Sequence, residues 1–341
     1  HEKASYLKEL FDQKKYSEII FIIDNEIDPK NKNSGLLNLS GVCKLLLSDS
    51  KDNLKNSIQD FRKAYLKEKS TQNALEALKN FINVSMDLFD LEFKSEINHF
   101  PEEIFDEIFL YFEENKIFFE TNEAYSKAII RVFKRRLDIN NVIYYLNKLS
   151  INNNLDAACS LIYFNCFKKD WNQKKFFDSS KLLQNKLPTY TNKELVGIKR
   201  NQKEKINIAF FSADIRGSHS ITYFLKTVLD LYDKRKFNIF LIYNNKKEDE
   251  TFKQFKKLVD HTINIFELND IEAINTIRSY QIDIIFDMMG FTSDHRLSLF
   301  KNRLAPIQIS WCGYCNTTGL KEIDFMMADS SLIFEKEKKL Y

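Results

Sequence analysis

The spacing of apolar residues changes once along this chain of 341 residues. In about the first 190 residues, apolar side chains recur every three to four positions, as in residues 104–112 and 129–133, which predicts amphipathic helices. After residue 205, short apolar runs of strand length alternate with helical patterns. That alternation predicts right-handed crossovers and a doubly wound parallel sheet.

The pattern places six strands and four intervening helices in the second part of the chain. The predicted strands cover residues 206–212, 237–243, 262–266, 282–286, 307–311 and 324–327. The predicted helices cover residues 221–232, 251–259, 271–280 and 295–302. In such sheets ligands bind beyond the carboxyl ends of the strands, so the loops that follow the strands are the places to look for chemistry.

The glycines are distributed unevenly and mark a boundary. Gly35 and Gly41 are the only glycines in the first 196 residues, and the other five follow. Together with a charged stretch at 199–205, this shift predicts a boundary near residues 190–205. We therefore expect repeat-like helices at 1–70, further helical hairpins at 71–198, and a sheet domain at 205–341.

Two helical segments near the amino terminus can be superposed. Residues 15–23 align with residues 53–61, which Ala64 follows, and the paired positions Ile19 and Ser57 lie 38 residues apart. A tetratricopeptide repeat has about 34 residues, and residues 47–52 can hold the additional ones. The region resembles degenerate tetratricopeptide repeats, with ordinary antiparallel helix pairs as the alternative.

Composition excludes several classes of protein. Lys+Arg is 51 and Asp+Glu is 48, a net charge of +3, which gives no electrostatic case for a nucleic-acid or membrane-surface partner. No apolar run approaches the roughly 18 residues of a membrane span, and the first thirty residues lack a signal-peptide core. The five cysteines are odd in number and scattered, which favours a reducing cytoplasm over a disulfide framework.

The loop after the first predicted strand, residues 212–220, carries the first candidate for chemistry. It has neither a three-glycine dinucleotide fingerprint nor a phosphate-loop lysine, which argues against nicotinamide enzymes and nucleotide hydrolases. It places His219 at or near a helix N-terminus, where the macrodipole disfavours the imidazolium and keeps the ring available as a base. The simpler interpretation is a surface or capping histidine.

Two further loops are unusual. In residues 287–295, Asp287 follows a buried strand and Gly290 permits a tight turn or a close approach to a ligand, although capping of the next helix explains part of this pattern. Residues 311–319 contain a Cys-x-x-Cys pair, Cys312 and Cys315. A loop follows it and no second pair lies nearby, so we expect neither a redox nor a metal site.

Taken in order, these loops resemble one family, the O-linked N-acetylglucosamine transferases and their plant SPINDLY relatives. The matching stretches are S-A-D at 212–214 with H-S-I-T-Y-F at 219–224, D-I-I-F-D-M-M-G-F-T at 283–292, R-L-A-P-I-Q at 303–308 leading to G-Y-C-N-T-T-G at 313–319, and I-D-F at 323–325. The long third stretch is the most specific. The resemblance covers about residues 205–341, and the helices in front agree with the family's layout.

The resemblance implies a fold and an activity. The fold class is α + α/β, with TPR-like α-helical hairpins followed by a Rossmann-like doubly wound parallel sheet, the first lobe of a GT-B glycosyltransferase. The implied reaction moves N-acetylglucosamine from UDP-GlcNAc to Ser or Thr hydroxyls of proteins, inverting, without metal or cofactor, with His219 as candidate general base; plant relatives can use GDP-fucose. The implied substrate-binding residues are Asp287, Gly290, Phe291, Thr292, Tyr314, Thr317, Thr318 and Gly319.

The chain also departs from the family pattern. One extra residue separates Asp214 from His219, and Cys312 and Cys315 stand where relatives usually have other residues, including a proline. The family's second lobe, which makes most contacts to the nucleotide, is absent. We therefore expect that these 341 residues alone do not catalyse sugar transfer. The expected partners are a protein or peptide acceptor held by the helical repeats and a nucleotide sugar held with the second lobe, but neither nucleic acid nor membrane. The alternative is a non-catalytic helical-repeat scaffold with a vestigial Rossmann-like domain.

Overall fold

The computed structural model describes residues 2–48, 50–94, 102–191, 193–198, 204–217 and 219–341. Most of the predicted charged linker, residues 199–203, lies outside the described residues. Contacts between Cα atoms divide the chain into two compact units, residues 1–149 and 150–341.

The first unit is helical. Its helices are α1 (Glu2–Asp12), α2 (Tyr16–Phe21), α3 (Ser34–Leu47), α4 (Lys51–Lys67), α5 (Gln72–Lys94), α6 (Glu102–Glu114), α7 (Lys116–Thr121), α8 (Glu123–Arg135) and α9 (Ile139–Ile151). A π-helical turn at Ile22–Glu26 continues α2, and a 3-10 turn lies at Pro29–Asn31.

Consecutive helices of this unit pair as hairpins, α1 with α2 and α3 with α4. Polar side chains begin several of them: the side-chain oxygens of Asn33, Ser50 and Asn122 accept backbone N–H groups of the first turn. Gly41 of α3 faces the buried Phe61 ring of α4, which lets the two helices approach closely. The predicted helical region is confirmed, and its assignment to tetratricopeptide repeats stays a prediction.

The second unit begins with two helices, α10 (Leu155–Asn165) and α11 (Gln173–Gln184). The remaining elements are β1 (Ile206–Ser212), α12 (Ser220–Leu231), β2 (Phe237–Tyr243), α13 (Glu250–Lys256), β3 (His261–Asn264), α14 (Asp270–Ser279), β4 (Ile284–Asp287), α15 (Leu297–Lys301), β5 (Ile307–Trp311) and β6 (Phe325–Met327). A 3-10 helix at Glu335–Leu340 follows.

The strands of the described part form one parallel sheet in the order β3-β2-β1-β4-β5-β6. This is the strand order of a Rossmann-like fold, so the predicted fold class is confirmed. β1, β2 and β5 have the predicted bounds, whereas the other elements differ. The strands predicted at 282–286 and 324–327 are β4 and β6, and the helix predicted at 251–259 is the shorter α13. The helices predicted at 221–232 and 271–280 are α12 and α14, which begin and end one residue earlier. The strand predicted at 262–266 is β3, which ends at Asn264, and the helix predicted at 295–302 is the shorter α15. α15 begins late because Arg296 before it has a non-helical backbone conformation (φ −135°, ψ 59°) and its guanidinium donates to the carbonyl of Ile265.

Apolar side chains cover both faces of the sheet. On one face α12 and α13 pack against β1 and β2, through residues such as Leu225, Phe252 and Phe210. On the other face Phe176 and Leu183 of α11 join the core of the sheet. The sequence places the boundary at the change of composition near 190–205, but the compact unit begins at residue 150, because α10 and α11 bury their apolar faces in this core.

The strand order reverses between β1 and β4. From β1 the chain moves outward to β2 and β3, and then returns to place β4 on the other side of β1. At such a switch point the loops leave the two adjacent strands in opposite directions and open a crevice at their carboxyl ends. The loops that carry His219 and Asp287 border this crevice.

Candidate functional site

The start of α13 anchors the loop after β1. The Asp249 carboxylate caps α13 by accepting the Phe252 N–H at 2.9 Å, and it also accepts the Gly217 N–H at 2.7 Å. The Thr251 hydroxyl donates to the Gly217 carbonyl at 3.3 Å. Gly217 has φ +43°, a conformation that favours glycine. Ser218 lies outside the described residues, and His219 resumes the chain at the first turn of α12.

His219 is the N-cap of α12, as its predicted position at a helix N-terminus requires. Its Nδ1 accepts the Ile221 N–H at 3.4 Å, and its side chain is 37% exposed. Its Nε2 lies 3.7 Å from Oδ2 of Asp214, whose other carboxylate oxygen accepts from the Arg216 guanidinium at 2.9 Å. The ring is therefore held at the first turn of α12, beside a carboxylate that is only 7% exposed.

Asp214 is the residue that sequence reasoning left without a role. The motif S-A-D carried it only as part of a resemblance. The signal that could have identified it is a carboxylate five positions before the candidate base in the same loop.

Asp287 lies at the carboxyl end of β4, and its side chain bonds to the backbone of the loop that follows. The carboxylate accepts the N–H of Met289 at 2.9 Å and the N–H of Gly290 at 3.2 Å. The side chain is buried, and burial raises its pKa to about 6. The Thr292 hydroxyl donates to the Met289 carbonyl at 2.7 Å. Asp287 and Thr292 thus fix the shape of this loop.

Two aromatic residues of the predicted site are buried beneath the loops. Phe291 and Tyr314 contact each other edge to face with ring centroids 5.4 Å apart. Gly290, at φ +54°, lies against the Tyr314 side chain, where a Cβ would overlap it. The loops after β4 and β5 therefore pack directly against each other.

The loop after β5 also reaches the helix that begins at His219. Gly313 is in contact with the carbonyl oxygen of Met288, and a Cβ on Gly313 would lie 3.0 Å from Cδ1 of Ile221. Its neighbour Cys312 is exposed and has φ +71°, an unusual conformation for a residue with a side chain. The structure thus brings together the loops after β1, β4 and β5.

The remaining predicted residues lie towards α11. Thr317, Thr318 and Gly319 line a cavity of about 270 Å³ that α11 closes on one side. The Ser180 hydroxyl of α11 donates to the Thr317 carbonyl at 3.3 Å, and Gly319, at φ +67°, passes close to the backbone of Ser180. These residues are thus held against α11, whereas His219 lies at the first turn of α12.

The most specific motif of the sequence is a scaffold for the loop after β5. The fully buried Gln308 accepts the Leu304 N–H at 2.8 Å and donates to the carbonyls of Phe300 and Glu322 at 3.0 and 2.8 Å. Next to it, two nitrogens of the Arg303 guanidinium donate to the Asp324 carboxylate at 2.9 and 2.8 Å.

Within the described residues, no three or more His, Cys, Asp or Glu side chains cluster in a way that could hold a metal ion. Nor does any helix of the described ranges have the length and apolar character needed to cross a membrane. All five cysteines lie in the described part of the chain and are free thiols.

Comparison with known families and proteins identifies similar chains. The family model "Glycosyl transferase family 41" matches residues 178–336. A probable UDP-N-acetylglucosamine–peptide N-acetylglucosaminyltransferase SPINDLY of Arabidopsis thaliana is 28% identical over 136 residues, which cover 38% of this chain and 15% of the relative. The UDP-N-acetylglucosamine–peptide N-acetylglucosaminyltransferase of Caenorhabditis elegans is 25% identical over 131 residues, 37% of this chain and 11% of the relative. The matched part of this chain thus spans less than a sixth of either relative.

The fold has a counterpart among solved structures. A mutant O-GlcNAc transferase of Thermobaculum terrenum superposes with a TM-score of 0.69 at 16% identity, over 91% of this chain and 57% of that chain. At this sequence identity the superposition is evidence for the fold alone. Together with the family match over residues 178–336, it confirms that this chain resembles the O-GlcNAc transferase and SPINDLY family of glycosyltransferases.

Proposed function

We propose that this chain is part of a protein O-glycosyltransferase that moves N-acetylglucosamine from UDP-GlcNAc to Ser or Thr hydroxyls, inverting the anomeric centre without a metal. The family match and the relatives named as UDP-N-acetylglucosamine–peptide N-acetylglucosaminyltransferases support the reaction class. The chain spans only a small part of those relatives, so the donor, the acceptor and the activity of the whole protein belong to this proposal.

The observation that carries the proposal is the partly exposed imidazole of His219, on the loop that follows β1 at the switch point of the sheet. A hydroxyl is a weak nucleophile until a base takes its proton as the new bond forms. An acceptor hydroxyl in the crevice would lose its proton to the ring while its oxygen attacks the anomeric carbon. Attack from the face opposite the nucleotide inverts that carbon.

The other parts of the chain have proposed roles as well. The backbones of the loops at Gly290 and Gly313 would form one wall of the site, and the helical unit would bind the acceptor protein. A cytoplasmic location is supported by the free thiols of all five cysteines.

Mass spectrometry of proteins co-expressed with the complete reading frame tests this function. We expect hexosamine adducts on Ser and Thr, reduced at least 100-fold in His219→Asn, because general-base assistance contributes about 10²–10⁴. Asparagine keeps the helix cap and removes the base. His261→Asn, at an exposed position on the edge strand β3, is the matched control and should leave the adducts unchanged.

Two outcomes would contradict the proposal in different ways. Undiminished adducts in His219→Asn would remove His219 from the mechanism and leave the reaction class standing. Absence of adducts with the unaltered protein would overturn the enzyme proposal and favour the non-catalytic scaffold.

A further inference from the structure

Both ring nitrogens of His219 face a partner. Nδ1 accepts the Ile221 N–H at 3.4 Å, and Nε2 faces Oδ2 of Asp214 at 3.7 Å. A neutral imidazole has one N–H and one lone pair. Because the nitrogen facing an N–H must supply the lone pair, Nδ1 is unprotonated, and Nε2 carries its hydrogen towards the carboxylate.

The contacts of Asp214 fix its carboxylate in the position that orients the His219 ring. Its backbone N–H donates to the Ser212 hydroxyl at 2.9 Å, which fixes the residue at the end of β1. The Arg216 guanidinium donates to Oδ1 of Asp214, so the other oxygen, Oδ2, faces the His219 ring. The residue is nearly buried, so water screens the charge of the carboxylate poorly.

We propose that Asp214 is the positioning residue for His219, and that Nδ1 rather than Nε2 is the nitrogen that takes the acceptor proton. This inference rests on the proposed function and adds the tautomer and the orienting group to it. The Ile221 N–H must leave Nδ1 when the acceptor arrives. At 3.4 Å that bond is long, and the first turn of α12 keeps the Thr222 N–H and hydroxyl on the His219 carbonyl, at 3.0 and 2.6 Å.

The step balances in atoms and charge. The acceptor O–H bond breaks and an N–H bond forms at Nδ1, while the electron pair of the O–H bond forms the new bond to the anomeric carbon. The bond from that carbon to the diphosphate oxygen breaks, and its electron pair leaves with the nucleotide diphosphate. The resulting imidazolium lies beside the Asp214 carboxylate, which stabilises the positive charge.

Nitrogen-15 NMR of this chain with labelled histidine tests the tautomer without any turnover. The spectrum distinguishes protonated from unprotonated ring nitrogens, and His219→Asn assigns the signals by their loss. We expect the neutral ring to be protonated at Nε2, and this preference to be weaker in Asp214→Asn, where only the Ile221 N–H at Nδ1 still favours that tautomer. Asp230→Asn, an exposed carboxylate on α12 paired with Lys226, should leave it unchanged. A neutral ring protonated at Nδ1 in the unaltered chain, which needs no variant to fold, would overturn the proposal.

A kinetic measurement separates this inference from the proposed function. In protein from the complete reading frame, with UDP-GlcNAc and a Ser-containing peptide, we expect Asp214→Asn to lower kcat at least tenfold with KM for the peptide nearly unchanged. Transfer by the unaltered protein with an unchanged kcat in Asp214→Asn would refute the role of Asp214 and leave the function intact. If the unaltered protein transfers no sugar, the proposed function is refuted. The proposed proton transfer to Nδ1 is then refuted as well.

Discussion

Gly313 lies directly against the carbonyl oxygen of Met288, so the loops after β4 and β5 meet backbone to backbone. A Cβ at Gly313 would overlap that oxygen and also approach Ile221 in the first turn of α12. This contact is therefore made by main chain, and it leaves no room for a side chain at position 313.

Gly313→Ala should consequently cost about 3 kcal/mol or more of unfolding free energy, because the overlapping atom belongs to the backbone and cannot rotate away. Urea denaturation followed by circular dichroism measures this loss. Gly197→Ala is the control, since nothing lies within 4 Å of its Cβ position, and it should stay within about 0.5 kcal/mol of the original. Equal stability of the two variants would contradict the contact.

Asp287 should make stability depend on pH. Burial raises its pKa in the folded chain from 3.8 to about 6, so folding favours the protonated form. The stabilisation is complete below about pH 4 and is lost as pH rises through 6, a change of roughly 3 kcal/mol. Asp287→Asn cannot ionise and should lack this contribution.

The measurement is urea denaturation of the original chain and of Asp287→Asn at several values between pH 4 and 7. The original should lose stability relative to the variant as pH rises. Asp324→Asn serves as the control: the Arg303 guanidinium lowers the pKa of Asp324, so the stabilisation by that carboxylate is lost only below about pH 4, and the stability difference of this variant should stay nearly constant across the range. A constant difference for Asp287→Asn across the range would disprove the burial effect.

The sheet could be predicted where apolar runs are continuous. β1, β2 and β5 lie inside the sheet, paired on both sides, and their runs end where the strands end. The edge strand β3 pairs only with β2, and its apolar run continues to Phe266 although the strand ends at Asn264. The reason is local: the Asn264 side chain accepts the Phe266 N–H at 3.0 Å and turns the chain, which hydrophobic spacing does not encode.

The candidate site was predictable in position but not in detail. The loops were located because ligands bind at the carboxyl ends of parallel strands. The pairing of Asp214 with His219 depends on a loop that passes through Gly217 at positive φ and is anchored by Asp249, a residue 30 positions after His219. Such tertiary contacts leave no periodic signal in the sequence.

Gln308 should be intolerant of even an isosteric change. Its amide nitrogen donates to two carbonyl oxygens, those of Phe300 and Glu322, in a fully buried position. Gln308→Glu replaces the donating nitrogen by a carboxylate oxygen, which would face the two carbonyl oxygens without a hydrogen between them. We expect this change to cost about 3 kcal/mol of unfolding free energy near pH 7. Thermal or urea denaturation measures the loss, and the exposed Gln254→Glu should change stability by less than about 0.5 kcal/mol. A similar small change for both would show that the buried donor is unimportant.

The capping role of His219 can be separated from its proposed chemistry. Asparagine is a preferred N-cap and alanine is a poor one. We expect His219→Ala to lose up to about 1 kcal/mol of unfolding free energy and His219→Asn to retain the original stability, because asparagine can still accept the Ile221 N–H. Urea denaturation of the three proteins checks the order. If asparagine and alanine destabilise equally, the side chain of His219 does not cap α12.

The helical unit offers a test of how closely α3 and α4 pack. A Cβ on Gly41 would lie 2.6 Å from the buried Phe61 ring, so Gly41→Ala should cost about 1–2 kcal/mol even though alanine favours helix by about 1 kcal/mol. Gly35→Ala in the same helix would meet the flexible Asn73 side chain at 3.2 Å and the Asn33 side chain at an ordinary 3.4 Å, and should be neutral or stabilising. Adding Phe61→Leu to Gly41→Ala removes the overlapping ring atoms, so the double variant should be more stable than the sum of the single changes predicts. Strict additivity in urea denaturation would mean that Gly41 is not held against Phe61.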